Sequence, residues 1–239
     1  MRDGEQFCRY LRVVAGARLE DRASSFERDL RGLAATGMAT EFLERLLNAV
    51  PEPKDWEIGE ALAECALRDD SGRDVHWPWN TVRDRRTPRA SLPGADLVGF
   101  RRDGDSVLLL FGEVKTSSDA SAPPGVMNGG SGMTWQLERN ATRLDVQHAL
   151  LRWLHARCRE EPYRGFYEDA VSRYLASQGS EFVLVGVLIR DTSPDERDVK
   201  RRAESLRARL NQQTRVELLA WYLPIRIAEW VGLLRREEG

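Results

Sequence analysis

The chain has 239 residues, 41% hydrophobic and 31% charged, with a formal net charge of −2. That length supports one sizeable core, and the apolar fraction excludes wholesale disorder. The near-zero charge excludes a bulk polycation, so any nucleic-acid surface must be a local patch or belong to a partner. Cys8, Cys65 and Cys158 are odd in number and in no metal-ligand spacing, which argues against a disulfide framework or zinc site and for a reducing, cytosolic setting. The charged start MRDGEQFCRYLR lacks an apolar signal core, and the run FVLVGVLI (182–189) is too short to span a bilayer, so neither export nor a membrane is expected.

Taken in chain order, residues 1–50 read as a helical segment, clearest at TEFLERLLNAV (40–50), where apolar residues recur at helical spacing ahead of Pro51. DWEIGEALAECALRD (55–69) predicts an amphipathic helix with Asp55 as N-cap and an apolar face of Ile58, Ala61, Leu62, Cys65 and Ala66. Glu60 and Glu64 flank that face one turn apart. Strands are expected at VHWPWNTV (75–82), ADLVGFR (95–101) and SVLLLFGEVKT (106–116), with a basic loop RDRRTPR (83–89) after the first. Asp103-Gly104 is a two-residue hairpin signal between the second and third.

A Gly-, Pro- and Ser-rich loop (117–132) leads into one long helix, MTWQLERNATRLDVQHALLRWLHARC, ending near residue 158, and a second helix at 166–177. EFVLVGVLIR (181–190) has the unbroken apolar character of a buried central strand. A charged helix (195–210), a strand (214–223) and an amphipathic helix (224–236) follow. The expectation is an α/β fold treated as a single domain, with a helical segment 1–50, a core 56–190 and a helix-strand-helix extension 191–239.

The chemistry concentrates in FGEVKTSSD (111–119), where a strand that should be buried carries a glutamate and a lysine two positions apart. With Asp103-Gly104 as the turn, Arg102 pairs with Asp105 and Asp96 falls opposite Phe111, a diagonal neighbour of Glu113. Period-two alternation puts Lys115 on the same face as Glu113 and Asp96. Two carboxylates buried together need a compensating partner, and oxygen donors of this kind suit a hard divalent cation, Mg²⁺ or Mn²⁺. Of the 36 basic residues only Lys54, Lys115 and Lys200 are lysine, so 33 are arginine. A lysine beside the acids is therefore a marked choice, since its compact ammonium does what arginine's flat fork does not.

The order helix, three strands, helix, strand, with GE on the first helix, PGAD on the second strand and GEVK on the third, resembles the PD-(D/E)XK nuclease superfamily, whose core is α-β-β-β-α-β with a mixed central sheet flanked by helices. Within it, PGADLVGF, LLLFGEVKTS and WQLERN resemble the nuclease subunit of Hachiman-type anti-phage defence systems, which works with a helicase partner. The resemblance covers about residues 56–190. It implies Asp96 and Glu113 as metal ligands, Lys115 as the residue that positions water or offsets charge, and an acid on the first helix as a further ligand, Glu60 in preference to Glu64. It also implies Gln136 near the metal or phosphate, with Gln147 the weaker substitute, a DNA substrate, and an antiviral role beside the helicase.

Competing readings are plain ones. Asp96, Glu113 and Lys115 would otherwise form a structural ion pair at a strand end. His76 reads as part of a partly buried strand with aromatic packing and His148 lies two turns or more beyond Gln136 on the long helix, so neither reads as a base, and the tryptophans read as core. Arg83, Arg85 and Arg86 of the basic loop, with Arg139 and Arg143 on the long helix, are candidate phosphate contacts. The alternative function is a non-catalytic nucleic-acid-binding or adaptor subunit using 195–210 and 224–236 as its interface.

Overall fold

The computed structural model describes residues 2–235 except 23, 35, 50–51, 81–83 and 85–93. Arg83, Arg85 and Arg86 lie outside the described residues. The chain opens with helices α1 (Arg2–Tyr10), continued through a π-helical turn (Leu11–Ala15) into α2 (Gly16–Leu19), then α3 (Phe26–Leu33) and α4 (Gly37–Leu47). Thr36 starts α4 by accepting from the backbone of Ala39 (3.2 Å). Helix α5 (Asp55–Asp69) is capped at Lys54, one residue before the expected cap, and Glu57 reaches back to accept from the backbone N–H of Lys54 (2.8 Å).

A five-stranded mixed sheet lies at the centre, in the order β1 (Val75–His76), β2 (Leu97–Asp103), β3 (Ser106–Ser117), β4 (Val183–Arg190), β5 (Arg215–Tyr222). The first three strands pair antiparallel, while β4 runs parallel to both β3 and β5. Between β3 and β4 come α6 (Met133–Thr142), α7 (Leu144–Arg157) and α8 (Tyr163–Ala176); α9 (Lys200–Arg209) precedes β5, and α10 (Trp230–Leu234) follows it. Among the described residues no helix is long and apolar enough to cross a membrane.

Alternation along β3 builds two cores. Val107, Leu109 and Phe111 pack with Met133, Leu137, Leu150 and Ala170 of α6–α8, while Leu108, Leu110 and Val114 pack with Ile58, Leu62 and Trp230 on the other face. Helix α5 approaches β3 closely: a Cβ built on Gly59 would fall inside the envelope of the Thr116 methyl, so only glycine lets the helix sit there.

Four expectations are corrected. The first strand shrinks from 75–82 to β1, because Pro78 has no N–H to donate and the indoles of Trp77 and Trp79 turn inward to the carbonyls of Glu64 (2.8 Å) and Val98; Thr81 and Val82 lie outside the described residues. The hairpin pairs Asp103 with Ser106 rather than Arg102 with Asp105. Gly104, with φ +61, is thus the first of the two turn residues, the place a II′ turn gives to glycine.

The long helix breaks at Arg143, whose backbone is extended (φ −97, ψ 107). Gln147 Nε2 caps the carbonyls of Asn140 (3.2 Å) and Ala141 (2.8 Å) that the break leaves without helical partners. The last helix covers only Trp230–Leu234, entered through a 3₁₀ turn at Ile227–Glu229 rather than beginning at 224.

Two polar contacts fasten the periphery. Arg190, buried at the end of β4, pairs with Asp198 (2.9 Å) and donates to the carbonyls of Asp119 and Ser121 in the loop that leaves β3. Arg207 of α9 donates twice to the carbonyl of Val216 on β5 (3.2 and 2.9 Å).

Candidate metal centre

The observed register sets Asp96 in line with Glu113 rather than with Phe111, since paired positions now run from Leu97 with Gly112 downward and the Asp96 N–H donates to the Gly112 carbonyl (3.0 Å). The frame has moved by two positions, an even number, so the acids keep the same face and come closer. Asp96 Oδ2 accepts from the backbone N–H of Val114 (2.9 Å), which pins the carboxylate against β3. Lys115 Nζ sits 3.4 Å from Glu113 Oε2 and 3.9 Å from Asp96 Oδ2, between the two carboxylates. Glu113 is 1% exposed, while Asp96 and Lys115 are about a fifth exposed, so the set has a closed floor and an open rim.

Burial, reinforced by the charge of Asp96 and a hydrogen bond with it, pushes the Glu113 carboxyl up to about 9; Lys115 and a hydrogen bond from Asn140 pull the other way without cancelling this. At neutral pH the cation-free Glu113 keeps its proton, and a divalent cation would have to displace it.

Helix α6 closes the set from above. Met133, Leu137 and Asn140 form its buried stripe, and Asn140 Nδ2 donates to Glu113 Oε1 (3.3 Å). At 100° per residue, Gln136 and Arg139 fall on the flank beside Asn140, and Glu138, which pairs with Arg209 of α9 (2.8 Å), falls on the other. Two carbonyl oxygens on this part of α6, Gln136 Oε1 and Asn140 Oδ1, are buried without a hydrogen-bond donor.

Among the described residues no three His, Cys, Asp or Glu side chains converge as a ready ligand group. What does converge is a pair of acids backed by the Asn140 amide, a hard oxygen donor pair that fits Mg²⁺ or Mn²⁺ and would suit neither a thiolate-seeking nor an imidazole-seeking metal.

Glu64 is fully buried and bonded to Arg18 (2.6 Å), which gives it a structural role and leaves Glu60 as the acid of α5 to consider. Glu60 is buried on the helix covering the opposite face, next to the Gly59–Thr116 contact and so at the Lys115 end of β3. Gln147 is committed to the helix break and to Tyr174, whose hydroxyl donates to its Oε1 (2.7 Å).

His76 bonds Asp74 (2.8 Å) and packs on Phe166, and His148 is exposed on α7; neither belongs to the acid set. Arg143 pairs with neighbouring Asp145 (2.9 Å), whereas the Arg139 guanidinium lies over the ring of Trp135, 5.7 Å from its centroid. Trp135, read from sequence as core, is 48% exposed, because the helical wheel turns it away from the buried stripe. The glycine-rich loop is pinned rather than slack: Met127 is buried, and Asp119 accepts from the N–H groups of Ser121 (2.8 Å) and Gly125 (3.0 Å).

Asn140 is the residue that the sequence reading missed. Its only signal was its position one turn beyond Gln136, and nothing in the spacing tied it to Glu113, 27 residues earlier.

A depression of about 450 Å³ lined by Arg73, Arg101, Arg207 and Glu217 is a separate feature. Glu217 pairs in register with Val185, which packs on the α5 side, so this hollow lies across the sheet from Glu113. Arg73 and Arg101 already bond Glu217 there, so the charges largely neutralise one another.

Compared with protein-family models, with curated proteins and with solved structures, the chain matches none.

Proposed function

We propose that the chain is a metal-dependent nuclease built on a PD-(D/E)XK core, hydrolysing phosphodiester bonds. The observation that carries this reading is the convergence of Asp96, Glu113 and Lys115 on one face at the end of β3, with the Asn140 amide, its oxygen unpaired, against Glu113. A purely structural ion pair has no need of a second, buried acid beside the first, nor of an unpaired acceptor on the amide that holds it. The element order, with α5 before an antiparallel β1–β2–β3 and a parallel β4 after the α6–α8 crossover, supports the same assignment.

Asp96 and Glu113 would hold Mg²⁺ or Mn²⁺, with Glu60, at the Lys115 end of β3, as the further acid and water filling the remaining positions. Such an ion polarises the phosphate and lowers the pKa of an attacking water. Lys115 Nζ, between the two carboxylates, orients that water and offsets the charge that gathers on the phosphate as the bond to the leaving oxygen breaks. Arg139, steadied on Trp135, offers a phosphate contact on the flank of α6 beside Asn140. The resemblance noted in the sequence points to DNA as substrate, to a helicase as partner and to antiviral defence as the setting.

The test is degradation of supercoiled plasmid by the purified chain with Mg²⁺, Mn²⁺ or EDTA. Cleavage should vanish in EDTA and in the Glu113→Ala and Lys115→Ala proteins; metal-independent cleavage, or cleavage that survives both substitutions, would sink the reading.

A second reading, a catalytically silent adaptor, draws support from the exposed apolar side chains of α3 and α4, Phe26, Leu33, Met38, Phe42 and Leu46, which suit a partner surface. The two part on thermal melting: a nuclease centre is stabilised by Mn²⁺ and loses that gain in Asp96→Ala, whereas an adaptor shows no such gain.

A further inference from the structure

We propose that Asn140 is a positioning residue of the acid pair, holding Glu113 so that its Oε2 stays turned to the divalent cation; this rests on the metal-centre reading above. The two oxygens of Glu113 have different partners. Oε1 accepts from Asn140 Nδ2 (3.3 Å), and Oε2 faces Lys115 Nζ (3.4 Å). A carboxylate anchored through one oxygen presents the other in a fixed direction, which is how residues behind a ligand usually raise metal affinity.

Asn140 is itself held from behind. The break at Arg143 frees the Asn140 carbonyl, Gln147 Nε2 donates to it (3.2 Å), and Tyr174 Oη donates to Gln147 Oε1 (2.7 Å). Tyr174, Gln147, Asn140 and Glu113 are all buried, so the chain of contacts runs through the core from α8 to β3, shielded from water. A helix that ran on unbroken would satisfy the carbonyl internally and leave Gln147 nothing to hold.

Asn140 Oδ1 completes the argument. It is buried with no donor, as is Gln136 Oε1 one turn earlier. A core position of this kind would ordinarily be apolar or fully paired. A divalent cation brings water molecules that donate hydrogen bonds, and these are the partners the two oxygens lack.

The test is Mn²⁺ titration of the full chain, followed by electron paramagnetic resonance of the free ion. Asp96→Ala serves as the binding-deficient control. Asn140→Leu keeps the volume and removes the amide; its Mn²⁺ affinity should fall about 10- to 100-fold. Tyr174→Phe removes one hydroxyl at the far end of the chain of contacts, and its affinity should fall severalfold. Leu150→Ala, destabilised in the same core but outside the contacts, should bind Mn²⁺ as the parent does, which separates positioning from loss of stability.

Parent-like affinity in Tyr174→Phe and in folded Asn140→Leu overturns the inference and leaves the nuclease reading standing. Should Asn140→Leu fail to fold, Tyr174→Phe decides. Absence of Mn²⁺ binding by the parent, or binding that survives Asp96→Ala, overturns both.

Discussion

A carboxyl group that keeps its proton to about pH 9 makes the folded state less favourable as the solution turns alkaline. The unfolded Glu113 ionises near 4.5 and the folded one near 9, so between those values the unfolded state alone gains from ionisation, and stability falls as pH rises through the window. Glu113→Gln should therefore melt higher than the parent in EDTA at pH 8, by several degrees at about 2–4 °C per kcal/mol for a chain of this size. The gain should shrink to nothing near pH 4, where both states hold the proton; differential scanning calorimetry at the two pH values checks this. A cation that displaces the proton reverses the balance, so Mn²⁺ affinity should rise with pH from 6 to 9. Lys115 makes a separate prediction at this scale. Lys115→Arg keeps the charge but spreads it over a flat fork, and plasmid cleavage should fall on the order of 10²-fold despite the chain's general use of arginine.

Among the elements, the contact of α5 with β3 depends on Gly59. Gly59→Ala forces its methyl into that of Thr116 and should cost roughly 1–3 kcal/mol in urea unfolding, with Thr116→Ser, which removes the opposing methyl, restoring most of it. The Arg190–Asp198 pair fastens the end of β4 to the loop leaving β3; Asp198→Ala leaves a buried guanidinium uncompensated and should cost about 3–5 kcal/mol. How much of this was legible in the sequence depends on the range of the forces involved. Helix α5 and strands β3 and β4 followed from periodicity, because burial of one face or two writes itself into consecutive residues. The common face of Asp96, Glu113 and Lys115 was legible too, since it depends only on parity, and a hairpin frame wrong by two positions preserves parity. The frame itself was not, because Asp-Gly and Gly-Asp offer competing turns and the pairing of whole strands chooses between them. The break at Arg143 carries no glycine or proline; it is sustained by the side chain of Gln147, held in turn by Tyr174 once α8 has packed. Asn140 escaped for the same reason.

For the molecule as a whole, a net charge of −2 means that phosphate contacts must be few and local. Arg139→Ala should weaken DNA binding across sequences and reduce the slope of log affinity against log salt by about one, measured by fluorescence anisotropy on Asp96→Ala protein in EDTA. Arg143→Ala should do less, because Asp145 already neutralises that side chain. The sheet has a further consequence at this scale. Strand β5 has no neighbour beyond β4 among the described strands, so its outer rim carries backbone groups able to recruit a strand from another molecule. The guanidinium of Arg207 already occupies the Val216 carbonyl, and a docking strand would have to displace it. That one side chain acts as a guard against runaway strand addition, and Arg207→Ala should show association that climbs with concentration in light scattering while the parent's does not.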